Sequence, residues 1–151
     1  MKQLRKILLI TAILSCLTAI IPIQAFASEP ETVITYLDNG DYIVTEYTFS
    51  NSLARATTSG YASETYYSSD NVAKFALIIE GSFFYTYGAS AYATNVSATV
   101  EIYTPDATFV SKNAYTSGNT AYGSAVVNYL GVNVPLEVGL LCAVDGSLHV
   151  I

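Results

Sequence analysis

The strongest pattern in the chain is an alternation of apolar and polar residues across residues 72–104. In the first half of this stretch the odd positions are apolar or aromatic, and in the second half the even positions are. A period of two predicts strands, and the change of parity predicts an antiparallel hairpin with both apolar sets on one face. We predict a two-residue turn at Gly88 and Ala89. The inward pairs expected from this turn are Tyr85 with Tyr92, Phe83 with Thr94, Ile79 with Ala98, Leu77 with Val100, and Phe75 with Ile102.

Turn signals divide the rest of the chain into further short strands. Asn39-Gly40 lies between two β-rich runs, residues 31–37 and 42–49, and is a strong hairpin signal. There we expect Ile34, Tyr36 and Ile43 to share one face. Other turns are predicted at residues 69–71, 104–107, 117–120 and 145–147, with a last large hairpin over 121–144 around Leu130-Gly131 and with Pro135 at an edge or a non-bonded position.

These elements predict an all-β fold. The count is about eight or nine antiparallel strands built from consecutive hairpins, which favours a β-sandwich or a partly open barrel. We expect an N-terminal hairpin arm over 28–50, a polar linker over 51–60 and a compact β domain over 61–151. Apart from an N-terminal signal helix, no segment has a helical period.

The first 27 residues have the organisation of a secretory signal peptide. A basic start, an apolar run over 7–21 and the sequence Ala-Phe-Ala at 25–27 predict cleavage after Ala27 and secretion of the mature chain. A retained membrane anchor and lipoprotein processing at Cys16 are the alternatives. Cleavage would leave 124 of the 151 residues, enough for one domain with a real core.

Composition limits the partners of the mature chain. It carries three basic and twelve acidic residues, a net charge of −9, so neither nucleic acid nor an anionic membrane surface is an expected partner. Only Cys142 remains after cleavage, which excludes an intrachain disulfide. The parity of Cys142 in its strand predicts a core position.

Four segments carry a resemblance to known proteins: ARATTSGYASETYY, KFALIIEGSFFYTYGASA, SGNTAYGSAVV and LEVGLLCAVDGSL. Together they resemble a group of small, secreted, functionally uncharacterised proteins of Gram-positive gut bacteria. The resemblance implies an exported β domain and brings no catalytic residues. Such proteins often have Trp ahead of the first central strand, where this chain has Ala73.

The sequence contains no convincing catalytic set, metal site or cofactor site. His149 is the only histidine, so a histidine metal site within one chain lacks ligands and a Ser/His/Asp triad would depend on a terminal residue. The acidic turns match no complete Ca²⁺ loop. The protein is therefore predicted not to be an enzyme. Carboxylates that could still form a glycosidase pair are Glu46, Glu64, Glu80, Glu101 and Glu137.

The surplus of tyrosine, thirteen residues, is the remaining feature that suggests function. Tyrosine is favoured on half-buried strands, and its amphipathic ring also suits binding surfaces. The predicted partner surface comprises Tyr85, Tyr87 and Tyr92 near the hairpin tip, with Ile78 and Phe84 on its outer face. We expect a secreted, non-enzymatic protein that interacts with a protein, a cell-surface component or itself. The alternatives are a carbohydrate-binding module, which needs a row of exposed aromatic rings for a surface glycan, and a small glycosidase.

Overall fold

The structure, a computed structural model, describes residues 31–51 and 57–151, with only the backbone of residues 50 and 51. The predicted signal peptide and residues 52–56 of the predicted linker lie outside these ranges. Within them the chain is built from strands and turns. The described part of the chain has no helix of sufficient length and apolar character to cross a membrane.

In the described ranges nine strands form two antiparallel sheets, and within each sheet every strand pairs with its neighbours in sequence. Sheet A has the order β1-β2-β3-β4-β5 and sheet B the order β6-β7-β8-β9. The predicted sandwich of consecutive hairpins is thereby confirmed. The strands are β1 Glu31–Tyr36, β2 Tyr42–Asn51, β3 Thr57–Tyr67, β4 Ala73–Thr86, β5 Ser90–Ile102, β6 Ala107–Ser117, β7 Thr120–Tyr129, β8 Val132–Cys142 and β9 Leu148–Val150.

The core lies where sheet B packs over β3, β4 and β5. Alternate apolar side chains of each strand point into this space, as a period of two requires, and their burial stabilises the domain without a disulfide. Cys142 is fully buried, as its parity predicts. The largest fully buried side chains are Phe75, Phe83, Leu77, Ile79, Leu136, Leu140, Val127, Val138 and Cys142.

The two sheets pack closely where β4 faces β7. A Cβ atom added to Gly123 would lie 2.2 Å from Cγ2 of Ile79, well inside van der Waals contact. Ile79 is fully buried, so its side chain fills the space that the missing side chain of Gly123 leaves. This contact sets the distance between the sheets at the centre of the core.

Two of the predicted turns have positive φ angles at their glycines. Gly40 has a φ of 86°, and its N–H donates to the carbonyl of Leu37 at 3.0 Å. Leu130 and Gly131 have φ values of 52° and 84°, and two successive positive φ angles are typical of a tight two-residue hairpin turn. The β1–β2 and β7–β8 hairpins are confirmed.

The central hairpin agrees with the prediction in its body and differs at its tip. The pairs of Phe75, Leu77 and Ile79 are confirmed, whereas the two predicted pairs nearer the tip are wrong. The turn contains three residues rather than two, because Thr86 pairs with Ser90, and the register shifts between Ser82 and Phe83. The observed tip pairs are Phe83 with Ala93, Phe84 with Tyr92, and Tyr85 with Ala91.

The physical reason is a bulge at Thr94, the extra residue on β5 at this register shift. Its Oγ1 donates to the carbonyl of Ser82 at 3.0 Å, which fixes the irregular backbone. A single extra residue exchanges the two faces of a strand. Tyr85 and Tyr92 therefore lie on opposite faces of sheet A.

The N-terminal hairpin also differs from the prediction. β2 extends to Asn51 and β3 begins at Thr57, so both ends of the predicted 51–60 linker are strand. β2 pairs with β3 along its whole length, which makes the hairpin a continuation of sheet A. The turn between the strands spans five residues and places Tyr36 opposite Tyr42. Ile34 and Tyr36 therefore lie on the face opposite to Ile43, and the prediction that the three share one face is wrong.

Candidate functional site

The structure brings only two of the five residues of the predicted partner surface into contact, Phe84 and Tyr92. The ring of Tyr85 lies against the β8–β9 turn, where a Cβ added to Gly146 would be 2.5 Å from its Cζ. Phe84 and Tyr92 form a pair on the outer face with ring centroids 5.3 Å apart, and Tyr87 lies at the tip, 80% exposed. Ile78 is half-buried six positions away from Phe84 along β4.

The tip of the central hairpin is also attached to the rest of the domain. The N–H of Gly88 donates to the carbonyl of Val144 at 2.9 Å, and the N–H of Ala93 donates to the carbonyl of Gly118 at 2.9 Å. These bonds connect the tip to loops of sheet B. The tip of the hairpin is therefore held against loops of sheet B and does not project freely into solvent.

The most exposed element is β1, the first strand of sheet A. All six of its residues are exposed, and in residues 31–51 and 57–151 its only paired strand is β2. Apolar side chains project from both faces, with Val33 and Ile34 each 50% exposed and Tyr36 75% exposed. One row of backbone N–H and C=O groups therefore faces outward on a strand with apolar surface on both sides.

Sheet edges normally carry devices that prevent pairing with another chain, and the other described edges have them. On the β5 edge, Lys112 Nζ of β6 donates to the carbonyl of Ala98 at 2.7 Å, and β6 packs beside β5. β9 is only three residues long, too short to offer a useful template. β6, the other edge strand of sheet B, carries Lys112 and a bulge at Val110, where its register against β7 shifts. Each of these edges is thus closed or limited by the fold itself.

The first part of β8 forms an edge because β9 pairs only with its last three residues. Here Pro135 has no N–H to offer, in agreement with the edge or non-bonded position predicted for it. The N–H of Glu137 is already used, since it donates to Oε2 of Glu64 at 2.8 Å. Two of the outward positions of this edge are thus removed from further pairing.

β1 carries none of these devices. Its sequence, ETVITY, contains no proline and no basic residue, and its pairing with β2 has no bulge. The only charge is Glu31, at the first position. Its carboxylate accepts a hydrogen bond from the hydroxyl of Tyr47, a bond that raises the pKa of that tyrosine. The remaining residues are β-branched or aromatic, the types that favour extended pairing.

The turn at the end of β1 is held rigidly. Asp41 accepts hydrogen bonds from the N–H of Ser69 at 2.8 Å, from Nδ2 of Asn39 at 2.9 Å and from the hydroxyl of Tyr66. These contacts join the β1–β2 turn to the β3–β4 turn. The edge strand is therefore presented by a fixed frame, which lowers the entropic cost of binding.

A row of tyrosines, Tyr36, Tyr42, Tyr67 and Tyr103, crosses the outer face of sheet A from this edge. Ring centroids are 5.7 Å apart between Tyr36 and Tyr42, and 5.0 Å apart between Tyr42 and Tyr67, whose rings are parallel within 2°. Burial and a hydrogen bond to Glu101, with a smaller effect from nearby Tyr67, raise the pKa of Tyr103 to about 12. We call this set the tyrosine row.

The orientation of the rings decides what the tyrosine row can bind. Parallel rings whose centroids lie 5.0 Å apart form an offset stack, so Tyr42 and Tyr67 each turn one ring face toward the other. Sugar rings stack on exposed aromatic faces, and the two faces that meet in this stack are not free for a sugar. The tyrosine row runs from one strand to the next up to β1. It therefore favours the pairing of a further strand at this edge over the stacking of a sugar on flat ring faces.

Two of the candidate carboxylates approach each other without forming a facing pair. Glu64 lies between the sheets, and burial raises the pKa of its carboxyl, an effect that the N–H of Glu137 partly opposes. Leu136 and Val138 are buried on the inner face of β8, so the exposed side chain of Glu137 projects from the opposite face. Glu64 thus contacts the backbone of Glu137 and serves to cap an edge N–H.

The raised pKa of Glu64 predicts a dependence of stability on pH. At a pH above the raised folded-state pKa, the Glu64 carboxylate is charged in both the folded and the unfolded protein, and its partial desolvation destabilises the folded protein. This destabilisation is lost as the pH falls through that pKa, because the carboxyl becomes protonated. Glu64→Gln should therefore raise Tm by about 1–3 °C at pH 7, with the difference closing toward pH 4. Calorimetry at both pH values tests this. A Gln variant that is less stable at pH 7 would contradict it.

The described residues contain no group of three or more His, Cys, Asp and Glu side chains that could hold a metal ion. His149 is exposed on β9, with Nε2 3.2 Å from Oγ of Ser147. No protein-family model matches the chain, and neither the curated proteins nor the solved structures contain a match.

The β1 edge and the tyrosine row were not predicted from the sequence as a site. The available signal was the run ETVITY, six residues of high β propensity without proline or lysine beside a strong turn signal. Predicting the tyrosine row would have required knowing which strands of sheet A lie side by side and in what register. Because β2 and β3 are joined across residues 52–56, local pattern does not reveal the position of Tyr67 opposite Tyr42.

Proposed function

We propose that this protein is an exported, non-enzymatic interaction module that binds an extended polypeptide strand along β1. The bound strand would pair with the outward backbone groups of β1 and place alternate side chains on the two faces of sheet A. Export rests on the signal peptide predicted at residues 1–27. A cell-surface or secreted polypeptide is the expected class of partner.

One observation supports this proposal above the others. β1 is the edge without a protective device, whereas Pro135, Glu64 and Lys112 restrict the remaining described edges. An unprotected edge with apolar surface on both faces is a hazard unless a partner uses it. The tyrosine row adds stacked rings up to this edge and gives a bound strand an aromatic neighbour in Tyr36.

The test uses a capped, fluorescein-labelled peptide of alternating Thr and Val, together with a copy whose central residue is Pro. The purified protein should bind the first peptide saturably and the proline peptide at least about tenfold more weakly, because proline removes a ladder donor. Fluorescence anisotropy measures both affinities.

Variants show where the peptide binds. Ile34→Lys places a charge on the β1 edge and should weaken binding at least about tenfold. The matched control is Val132→Lys, because Val132 is 65% exposed on the edge that contains Pro135. It should leave the affinity unchanged. The proposal fails if neither peptide binds, or if Ile34→Lys binds as tightly as the wild type.

A further inference from the structure

We infer that the strand that docks on β1 is β1 of a second copy of this chain, paired antiparallel with Ile34 opposite its own counterpart. This inference rests on the proposed function, because it names the partner of the same edge. The two copies of sheet A would continue as one sheet across a two-fold axis, an isologous contact.

Symmetry restricts the register of such a pair. A two-fold axis perpendicular to the sheet leaves each face on its own side, and directly opposed residues of antiparallel strands share a face. A residue of β1 can therefore pair only with its own counterpart or with one an even number of positions away. The central residue could be Val33, Ile34 or Thr35.

The charge on β1 selects among the three registers. With Ile34 at the centre, all residues from Thr32 to Tyr36 are paired and Glu31 lies beyond the paired span. With Val33 at the centre, Glu31 enters the ladder opposite Thr35. With Thr35 at the centre, only the last three residues of the strand are paired. The Ile34 register joins the most residues without placing a charge in the ladder.

The side-chain pairs of this register are favourable on both faces. On the outer face Ile34 meets its counterpart and Thr32 meets Tyr36; on the inner face Val33 meets Thr35. All are β-branched or aromatic pairs, which stabilise antiparallel sheets. The three most exposed apolar residues of β1, Val33, Ile34 and Tyr36, would lose solvent contact together.

Electrostatics distinguishes a second copy from an unrelated partner. Two acidic chains repel each other at long range, although the paired span from Thr32 to Tyr36 is uncharged. Salt screens this repulsion, so association between copies should become tighter as salt is added. A basic partner attracted by the acidic surface would bind more weakly under the same change.

Sedimentation equilibrium of the purified protein tests the inference, at protein concentrations up to about 1 mM and in about 0.05 to 0.5 M NaCl. We expect a reversible monomer–dimer equilibrium that tightens with salt. Ile34→Lys should weaken the dimer at least about tenfold, since two lysines would oppose each other at the axis. Val132→Lys, an exposed apolar-to-lysine change on β8, should have no effect.

A mixture of variants tests the register. Ile34→Glu alone should also fail to dimerise, whereas Ile34→Glu mixed with Ile34→Lys should form a heterodimer through opposite charges at position 34. A wild type that stays monomeric, a dimer that Ile34→Lys does not weaken, or a mixture that stays monomeric overturns the inference. A monomer that still binds the Thr-Val peptide at β1 retains the proposed function without the second copy.

Discussion

Replacing Gly123 with alanine is expected to cost the domain about 3 kcal/mol of unfolding free energy, because the new Cβ would overlap Ile79. The added atom would lie 2.2 Å from Cγ2 of Ile79, a side chain that is fully buried and packed on all sides. The sheets must separate locally or Ile79 must leave its rotamer. Urea unfolding of both proteins measures the loss, and Tm should fall by about 10 °C.

The control for this variant is its repetition in an Ile79→Ala background. Ile79→Ala alone should cost about 2–4 kcal/mol, since it leaves a cavity between the sheets. In that background the cost of Gly123→Ala should fall below about 1 kcal/mol, because the overlapping methyl is gone. An equal cost of Gly123→Ala in both backgrounds would show that the β4–β7 contact does not set the spacing of the sheets.

Phe75→Ala is expected to be the most damaging single truncation on β4, at about 4 kcal/mol. The ring is fully buried and stacks on Tyr66 with centroids 4.8 Å apart. A loss of this size approaches the whole stability of a small domain. Phe84 is the matched control, since it lies on the same strand, half-buried on the outer face against Tyr92.

The comparison separates the two faces of the central hairpin. Phe84→Ala should cost about 1 kcal/mol, the contribution of a partly covered aromatic pair. Urea unfolding with common slopes gives both values. If the two truncations cost the same, the core would not lie where the burial of Phe75 places it.

The body of the fold could be predicted because its signals are local. Residues 132–138 alternate apolar residues with Asn133, Pro135 and Glu137, and Gly40 and Gly131 readily adopt positive φ angles. Such signals depend only on neighbouring residues. Strand number, the sandwich and the core position of Cys142 follow from them.

The tip of the central hairpin could not be predicted because its register depends on distant contacts. The bulge at Thr94 shifts the pairing by one, and it occurs where Gly88 and Tyr85 contact the 143–147 segment. Nothing within residues 72–104 specifies that contact. The tyrosines of the predicted partner surface are therefore divided between the two faces of sheet A.

The site at β1 was missed for a related reason. Whether ETVITY is covered depends on which strands flank it, and that depends on how far sheet B extends over sheet A. Sheet B packs over β3, β4 and β5, so β1 remains outside. The small polar residues 57–60 also form strand, with Gly60 close to Leu148, although their composition predicts a linker.

The most direct test of strand addition at β1 is amide hydrogen exchange of Thr32 to Tyr36 by NMR, with and without the Thr-Val peptide. In the free, dilute protein the amides that face β2 should exchange slowly and those that face outward should exchange rapidly, a period of two along the strand. Addition of the peptide should protect the outward amides and remove the alternation. Outward amides that are already protected in the free protein, or that remain unprotected at saturating peptide, would contradict an open, strand-binding edge.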